Sequence, residues 1–274
     1  YKEKHFPEAI QSYSRAIECR PDFESALLHR SNTYYEINML DAALRDLTAY
    51  SAINSDTSIL FFSSALIHTR MEKYDTAIAL FEQALERDPQ NAEIMTNIGI
   101  VYYFKADFVT ARKVLHHALE MKPDQPNVFN TLALIEAESG NPDGALMWIN
   151  RALDIKPDDP WFLNNRGYFH LLRNDLAKAL TDIDASISED PYNAWAYRNK
   201  GIYYLKKGDA RASLRVLTRA LKQDTTVDRL FYYLGQAFDS LGDKTKSCDY
   251  FRRALRRQDM PVDEYRRHCS SIKN

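Results

Sequence analysis

The chain has 274 residues, 45% of them hydrophobic and 27% charged, with a formal net charge of −2. That balance belongs to a folded protein and excludes a disordered one. Eight glycines and ten prolines are too few for an all-β fold with many tight turns. No apolar run approaches the roughly 20 residues that cross a bilayer. The three cysteines, Cys19, Cys248 and Cys269, stand at no metal-like spacing. An odd number without a CxxC pair argues against a disulfide scaffold or a zinc site, and a reducing cytoplasm is the default compartment. Because the chain opens on Tyr1 rather than Met, any N-terminal targeting signal is expected to lie upstream.

Taken from the N-terminus, the sequence repeats itself every 34 residues. Prolines stand at Pro89, Pro123, Pro157 and Pro191, and two periods before Pro89 lies Pro21, with Ser55 between them. A small residue keeps the same register at Ser31, Ala65, Gly99, Ala133, Gly167, Gly201 and Gly235. A second series runs from Ala9 through Ala43, Ala77, Ala111, Ala145 and Ala179 to Ser213 and Ser247. A third runs from Ala16 through Tyr50, Ala84, Ala118, Ala152 and Ser186 to Ala220 and Ala254. No insertion or deletion interrupts them.

Each period holds two stripes of helical spacing, such as Met95, Ile98, Gly99 and Tyr102 followed by Ala111, Leu115 and Ala118. Apolar or small residues at i, i+3, i+4 and i+7 predict one buried face per helix. The turns Gly140-Asn141, Gly208-Asp209 and Gly242-Asp243 suit a left-handed residue followed by a cap for the next helix. Proline then stops the second helix. Residues 1–23 read as a repeat lacking its first helix. Seven full repeats follow, 24–57, 58–91, 92–125, 126–159, 160–193, 194–227 and 228–261, and 262–274 reads as a short terminal helix with Asp263 as a candidate N-cap.

With this register the chain resembles the tetratricopeptide repeat family throughout, most clearly from Asp88 to Pro191. It departs at Tyr50 and Ser55, where the family carries a small residue and a proline. The resemblance implies an all-α fold, a single tetratricopeptide-type α-solenoid wound as a right-handed superhelix. Such stacks bury each helix pair against its neighbours. The first helix of each repeat would line an inner groove through its second, sixth, ninth and thirteenth residues.

Leu28, Ile59, Phe62 and Leu66 fall at expected inward positions in the first two full repeats, an apolar patch able to grip a partner helix or to be covered by the chain itself or by a segment upstream of it. Those offsets give Glu93, Asn97, Ile100 and Phe104 in the third, and Asn127, Thr131, Leu134 and Glu138 in the fourth. The fifth yields Trp161, Asn165, Tyr168 and Leu172, and the sixth Trp195, Asn199, Ile202 and Lys206. Asparagine at the sixth position, at Asn97, Asn165 and Asn199 but interrupted by Thr131, is similar to family members that hold a peptide by its main chain. Its amide carries both a donor and an acceptor. Trp161 and Trp195, one period apart and followed by Arg198, are candidate anchors; the alternative is that they pack against adjacent helices. The Lys, Asn and Arg set that clamps chaperone tails in some relatives cannot be assembled here, since Phe62 and Leu66 precede Asn97, and Asn130 and Leu134 precede Asn165.

From Arg198 onward the chain carries 18 basic and 9 acidic residues, a balance of +9, against −11 upstream. This asymmetry could steer an acidic partner, nucleic acid or an anionic membrane toward the C-terminal end, or promote head-to-tail self-association. Arg211, Arg215 and Arg219, like Arg252, Arg253, Arg256 and Arg257, fit solvated outer faces, and no nucleic-acid motif accompanies them. Phosphate loops, nucleophile elbows and HExxH motifs are absent from the sequence. His116 and His117 are consecutive, and Asp182 and Asp184 are two apart, so neither pair shares a helical face. His68 and His170 take the register position of Tyr102 and Tyr204, where packing explains them.

The sequence therefore predicts a non-catalytic scaffold that binds a peptide or protein segment in its groove, with no cofactor and no metal. Two alternatives stand beside it: self-assembly through the solenoid ends, and a substrate-recruiting region of a larger enzyme.

Overall fold

The computed structural model describes residues 5–269; the sequence expectations for residues 1–4 and 270–274 lie outside them. Among the described residues the chain is all helical. It divides into two compact units, Tyr1–Ile135 and Glu136–Asn274. The first carries α1 (Phe6–Cys19), α2 (Glu24–Glu36), α3 (Leu40–Ser51), α4 (Ser58–Arg70), α5 (Tyr74–Arg87), α6 (Ala92–Phe104), α7 (Phe108–Met121) and most of α8 (Pro126–Glu138). The second carries α9 (Pro142–Ile155), α10 (Pro160–Leu172), α11 (Leu176–Glu189), α12 (Ala194–Lys206), α13 (Ala210–Gln223), α14 (Leu230–Ser240), α15 (Lys244–Arg256) and α16 (Val262–Cys269). No described helix is long and apolar enough to cross a membrane.

Every hairpin turns on a left-handed residue, and these too recur at 34-residue intervals. Gly140, Gly208 and Gly242 have φ of 77° to 79°, and Asn38, Glu72, Ala106 and Asn174 take the same place with φ of 58° to 62°. The next residue often caps the second helix: Asp107, Asn141, Asp175, Asp209 and Asp243 each accept a backbone N–H of the first turn. Such a side chain satisfies a donor that the helix leaves without a partner. Proline closes the second helix because it has no N–H to donate to the carbonyl four residues earlier.

Where the pattern breaks, the structure adapts. Tyr50 stands where an alanine is expected, yet it is buried, packed with Leu27, Ala43, Leu47, Leu60 and Ile67. Its helix, α3, has 12 residues where α5 has 14, so the larger side chain is accommodated by an earlier stop. α14 begins at Leu230, two residues later than the register would start it, because Arg229 is held in the left-handed region with φ 54°. α16 begins at Val262, so Asp263 lies within its first turn rather than at its cap.

One expectation is overturned. Cys248 of α15 and Cys269 of α16 form a disulfide across 21 residues of sequence, leaving Cys19 as the free thiol. The two cysteines carry no spacing signal because they meet only when α16 folds back. There they join Phe251, Ala254 and Met260 in a small core. A cross-link of this loop length stabilises by about 3 kcal/mol through the unfolded chain. Cys269→Ser is therefore expected to speed amide hydrogen exchange in α16 while leaving α10 to α13 protected; equal protection of α16 in both proteins would show that the bond is not what holds it.

Candidate peptide-binding surface

In the second unit, the first helices of successive repeats are neighbours: α10 lies against α12 and α12 against α14. Their predicted inward positions do form one surface, but not with the expected chemistry. The side chain of Asn199 is fully buried (0% exposed), as is Asn164 nearby. Asn199 Nδ2 donates to Asn164 Oδ1 at 2.7 Å, and its Oδ1 accepts from Arg198 Nε and Nη2 at 3.1 and 2.9 Å. Arg198 then donates to the backbone carbonyl of Asp228 at 3.0 Å and approaches its carboxylate at 3.4 Å. Asn164 also donates to Asn165 Oδ1 at 3.4 Å.

The supposed peptide ladder is thus an internal polar chain, Asn165–Asn164–Asn199–Arg198–Asp228, that ties α10 to α12 and to the turn before α14. Asn199 and Arg198, named from sequence as peptide contacts, have no free edge to offer: a buried amide must be matched within the fold. The offset rule located the face but not the depth along it. Arg198 also stands over the rings of Tyr168 and Trp195, at 5.4 and 5.0 Å, so Trp195 is half-buried as packing for a guanidinium. Trp161, its counterpart one repeat earlier, is 49% exposed.

Next to this chain lies a pocket of about 530 Å³, lined by Tyr168 and Leu172 of α10, Ile202 and Lys206 of α12, and residues of α14 and α16. Leu172, Lys206 and Ser240 hold one register position at the C-terminal ends of their helices, and Arg229 stands at the opposite end of α14. The offsets applied to the last repeat would have found Arg229, Tyr233, Gln236 and Ser240, all of which line the pocket. The Tyr232 hydroxyl is held in a fixed role. Burial pushes the Tyr168 hydroxyl up from its usual range, and burial together with Glu264 pushes Tyr232 up to about 12. Tyr232 donates to Glu264 Oε1 at 2.7 Å and accepts from Gln236 Nε2 at 2.8 Å. His268 of α16 reaches Asp239 at 3.6 Å, so the disulfide-linked helix supplies one wall.

In the first unit the candidates are less available. Asn97 Nδ2 donates to the Glu93 carbonyl, and buried Thr131 donates to that of Asn127. Phe62 packs edge-on to Phe81, while Leu28 and Leu66 lean on the core. Of that apolar patch, Ile59 is the side chain that stands out, at 48% exposed.

On α10 and α11, Arg166 forks onto Asp182 at 2.7 and 2.8 Å and reaches Asn150. Four repeats earlier, Arg30 grips Asp46 and Ser14 in the same way. Asp184, pointing elsewhere as its spacing requires, meets Lys200 at 2.7 Å. His170 is buried beside Asp182 at 3.8 Å, and its Nδ1 has no hydrogen-bond partner. Burial lowers its pKa, helped by Lys178 and Arg166 and opposed by Asp182 and Asp175.

Models of the tetratricopeptide repeat match residues 69–135 and 198–260. Among curated proteins, Hsp70-Hsp90 organizing protein 3 of Arabidopsis thaliana is 30% identical over 100 residues, which cover 36% of this chain and 18% of that protein. The chain therefore spans under a fifth of that relative. Among solved structures, the APC/C hetero-tetramer Cut9-Hcn1 superposes with a TM-score of 0.73 at 14% identity, over 85% of this chain and 46% of that one. A tetratricopeptide repeat protein from Parabacteroides merdae does so with a TM-score of 0.69 at 17% identity, over 85% and 92%. At these identities the structures share the fold.

Two outcomes follow from the buried polar groups. Asn199→Ala takes a buried partner from both Asn164 and Arg198 and is expected to cost about 1–3 kcal/mol in urea unfolding; a loss near zero would mean that the chain of bonds is dispensable. For His170, the unfolded imidazole takes up a proton near its ordinary value of 6.5 while the folded one resists. Stability should therefore fall as pH drops below 6.5. His170→Tyr, the residue found at this register in Tyr102 and Tyr204, should flatten that fall between pH 6.5 and 5.5; an unchanged slope would assign it to other groups.

Proposed function

The chain is a tetratricopeptide repeat protein, and from that premise we propose that it is a non-catalytic scaffold which binds a segment of another protein on the first-helix surface of its second unit. The observation that carries this reading is the pocket along α10, α12 and α14. It joins apolar walls (Leu171, Leu172, Ile202, Leu205) to a few fixed polar groups, the usual make-up of a site that orients a ligand. Trp161, exposed on the same helix as Leu172, extends the contact surface beyond it. The relatives named for organising Hsp70 and Hsp90 support binding of protein partners as the general role.

The polar clusters elsewhere favour binding over chemistry. Arg166–Asp182 and Asn164–Asn199–Arg198 bridge one helix to the next, so their donors and acceptors are consumed by packing.

The test is selection of 12-residue peptides from a random display library on the purified chain, repeated with Leu172→Asp. Leu172 is 43% exposed, so the charge should be tolerated in the fold, which circular dichroism would check. Selected peptides are expected to lose at least about tenfold in affinity, near 1.4 kcal/mol. Peptides that bind both proteins alike would place recognition elsewhere.

A further inference from the structure

From the charges around this pocket we infer the class of segment it takes: an extended peptide with two acidic residues about five positions apart and an apolar side chain between them. The inference rests on the reading of the pocket as a peptide site and adds its ligand chemistry.

Two cations mark the ends of the pocket. Arg229 precedes α14, and Lys206 closes α12 beside Ser240 at the far end of α14. Among the described residues neither forms an ion pair with a carboxylate; Asp228, paired with Arg198, acts on Arg229 from beyond pairing distance. The acids that could have neutralised them are taken. Asp228 is held by Arg198, Asp239 by Lys244 and His268, and Glu264 by the Tyr232 hydroxyl. Arg229 lies over the rings of Tyr232 and Tyr233, at 5.1 and 5.8 Å. Stacking occupies the face of a guanidinium and leaves its in-plane N–H groups free, the arrangement that accepts a carboxylate side-on.

Arg229 is also a non-glycine residue at φ 54°, a conformation that costs about 1–2 kcal/mol. One neighbour helps to hold it: Arg198 fixes the carbonyl of Asp228, the residue before it. The turn is thereby held from the Arg198 side, with the Arg229 side chain left over the tyrosine rings.

The spacing comes from helix geometry. Arg229 to Ser240 covers the length of α14, about 17 Å at 1.5 Å per residue. An extended peptide crosses that distance in about five residues. Between the cations the walls are Tyr168, Leu172, Ile202 and Leu205, which suit an apolar side chain.

The experiment uses two matched libraries of 12-residue peptides. One has Glu fixed at positions 4 and 9 with a randomised apolar residue at position 6 or 7; the other has Gln in place of both Glu. The acidic library is expected to be retained at least about tenfold better by the wild-type chain, with the preference weakened in 0.5 M salt. Exchanging the first Glu for Gln should cost about tenfold against the wild type and little against Arg229→Gln; the second Glu should show the same coupling to Lys206→Gln. Lys206 lies exposed at a helix end, so its variant keeps the test open should Arg229→Gln misfold. Equal retention of both libraries, still abolished by Leu172→Asp, would overturn the acidic preference while leaving the pocket as a peptide site. Retention indifferent to Leu172→Asp, or none from either library, would sink both.

Discussion

The structure depends on how closely the two helices of each repeat approach. A Cβ added at Gly99, Gly167, Gly201 or Gly235 would lie within 2.7 Å of Leu115, Ile183, Leu217 or Phe251. Those four partners are fully buried, so the contact is between a backbone and a large side chain with nowhere to move. Fixing that point fixes the hairpin. One stripe of the first helix is spent on its own partner and a second on neighbouring repeats. What remains faces outward at the offsets that line the pocket. The surface is a remainder of the packing, and its position follows from the glycines.

Much of this was legible because small residues, prolines and left-handed glycines are chosen for geometry and so leave a periodic trace. The turns at Gly140, Gly208 and Gly242 could be read directly. Their equivalents Asn38, Glu72, Ala106 and Asn174 adopt the same conformation without announcing it, since surrounding packing outweighs a local preference of about 1 kcal/mol. Tyr50 was legible as a departure, but its accommodation by a shortened α3 was not.

The candidate site was legible as a face and illegible as chemistry. An asparagine at one register position is half-buried in α6 and fully buried in α12, because what decides its depth is the side chain at the same height on the next helix. Asn199 has Asn164 of α10 there and Arg198 beside it on α12, whereas Asn97 bonds back to its own helix at Glu93. Pairings of this kind join residues about 34 positions apart through three-dimensional neighbours, and no single repeat reveals them. The Cys248–Cys269 bond escaped for the same reason.

The buried framework and the open pocket are two consequences of one arrangement. Asn164 and Asn199 orient Arg198, and Arg198 engages both the carbonyl and the carboxylate of Asp228. That engagement turns the Asp228 carboxylate toward Arg198, so that it acts on Arg229 only from beyond pairing distance. A guanidinium over two tyrosine rings without a carboxylate is costly to maintain in an isolated helix end, where a nearby acid would collapse onto it. Here the neighbouring acids have other partners, and α16, cross-linked through Cys269, supplies Glu264 and His268 to Tyr232 and Asp239. The terminal helix thus both covers the last repeat and keeps the cation at the pocket mouth unsatisfied. That explains why the most distinctive chemistry of the second unit lies in its final repeat rather than in the tryptophans of the two before it.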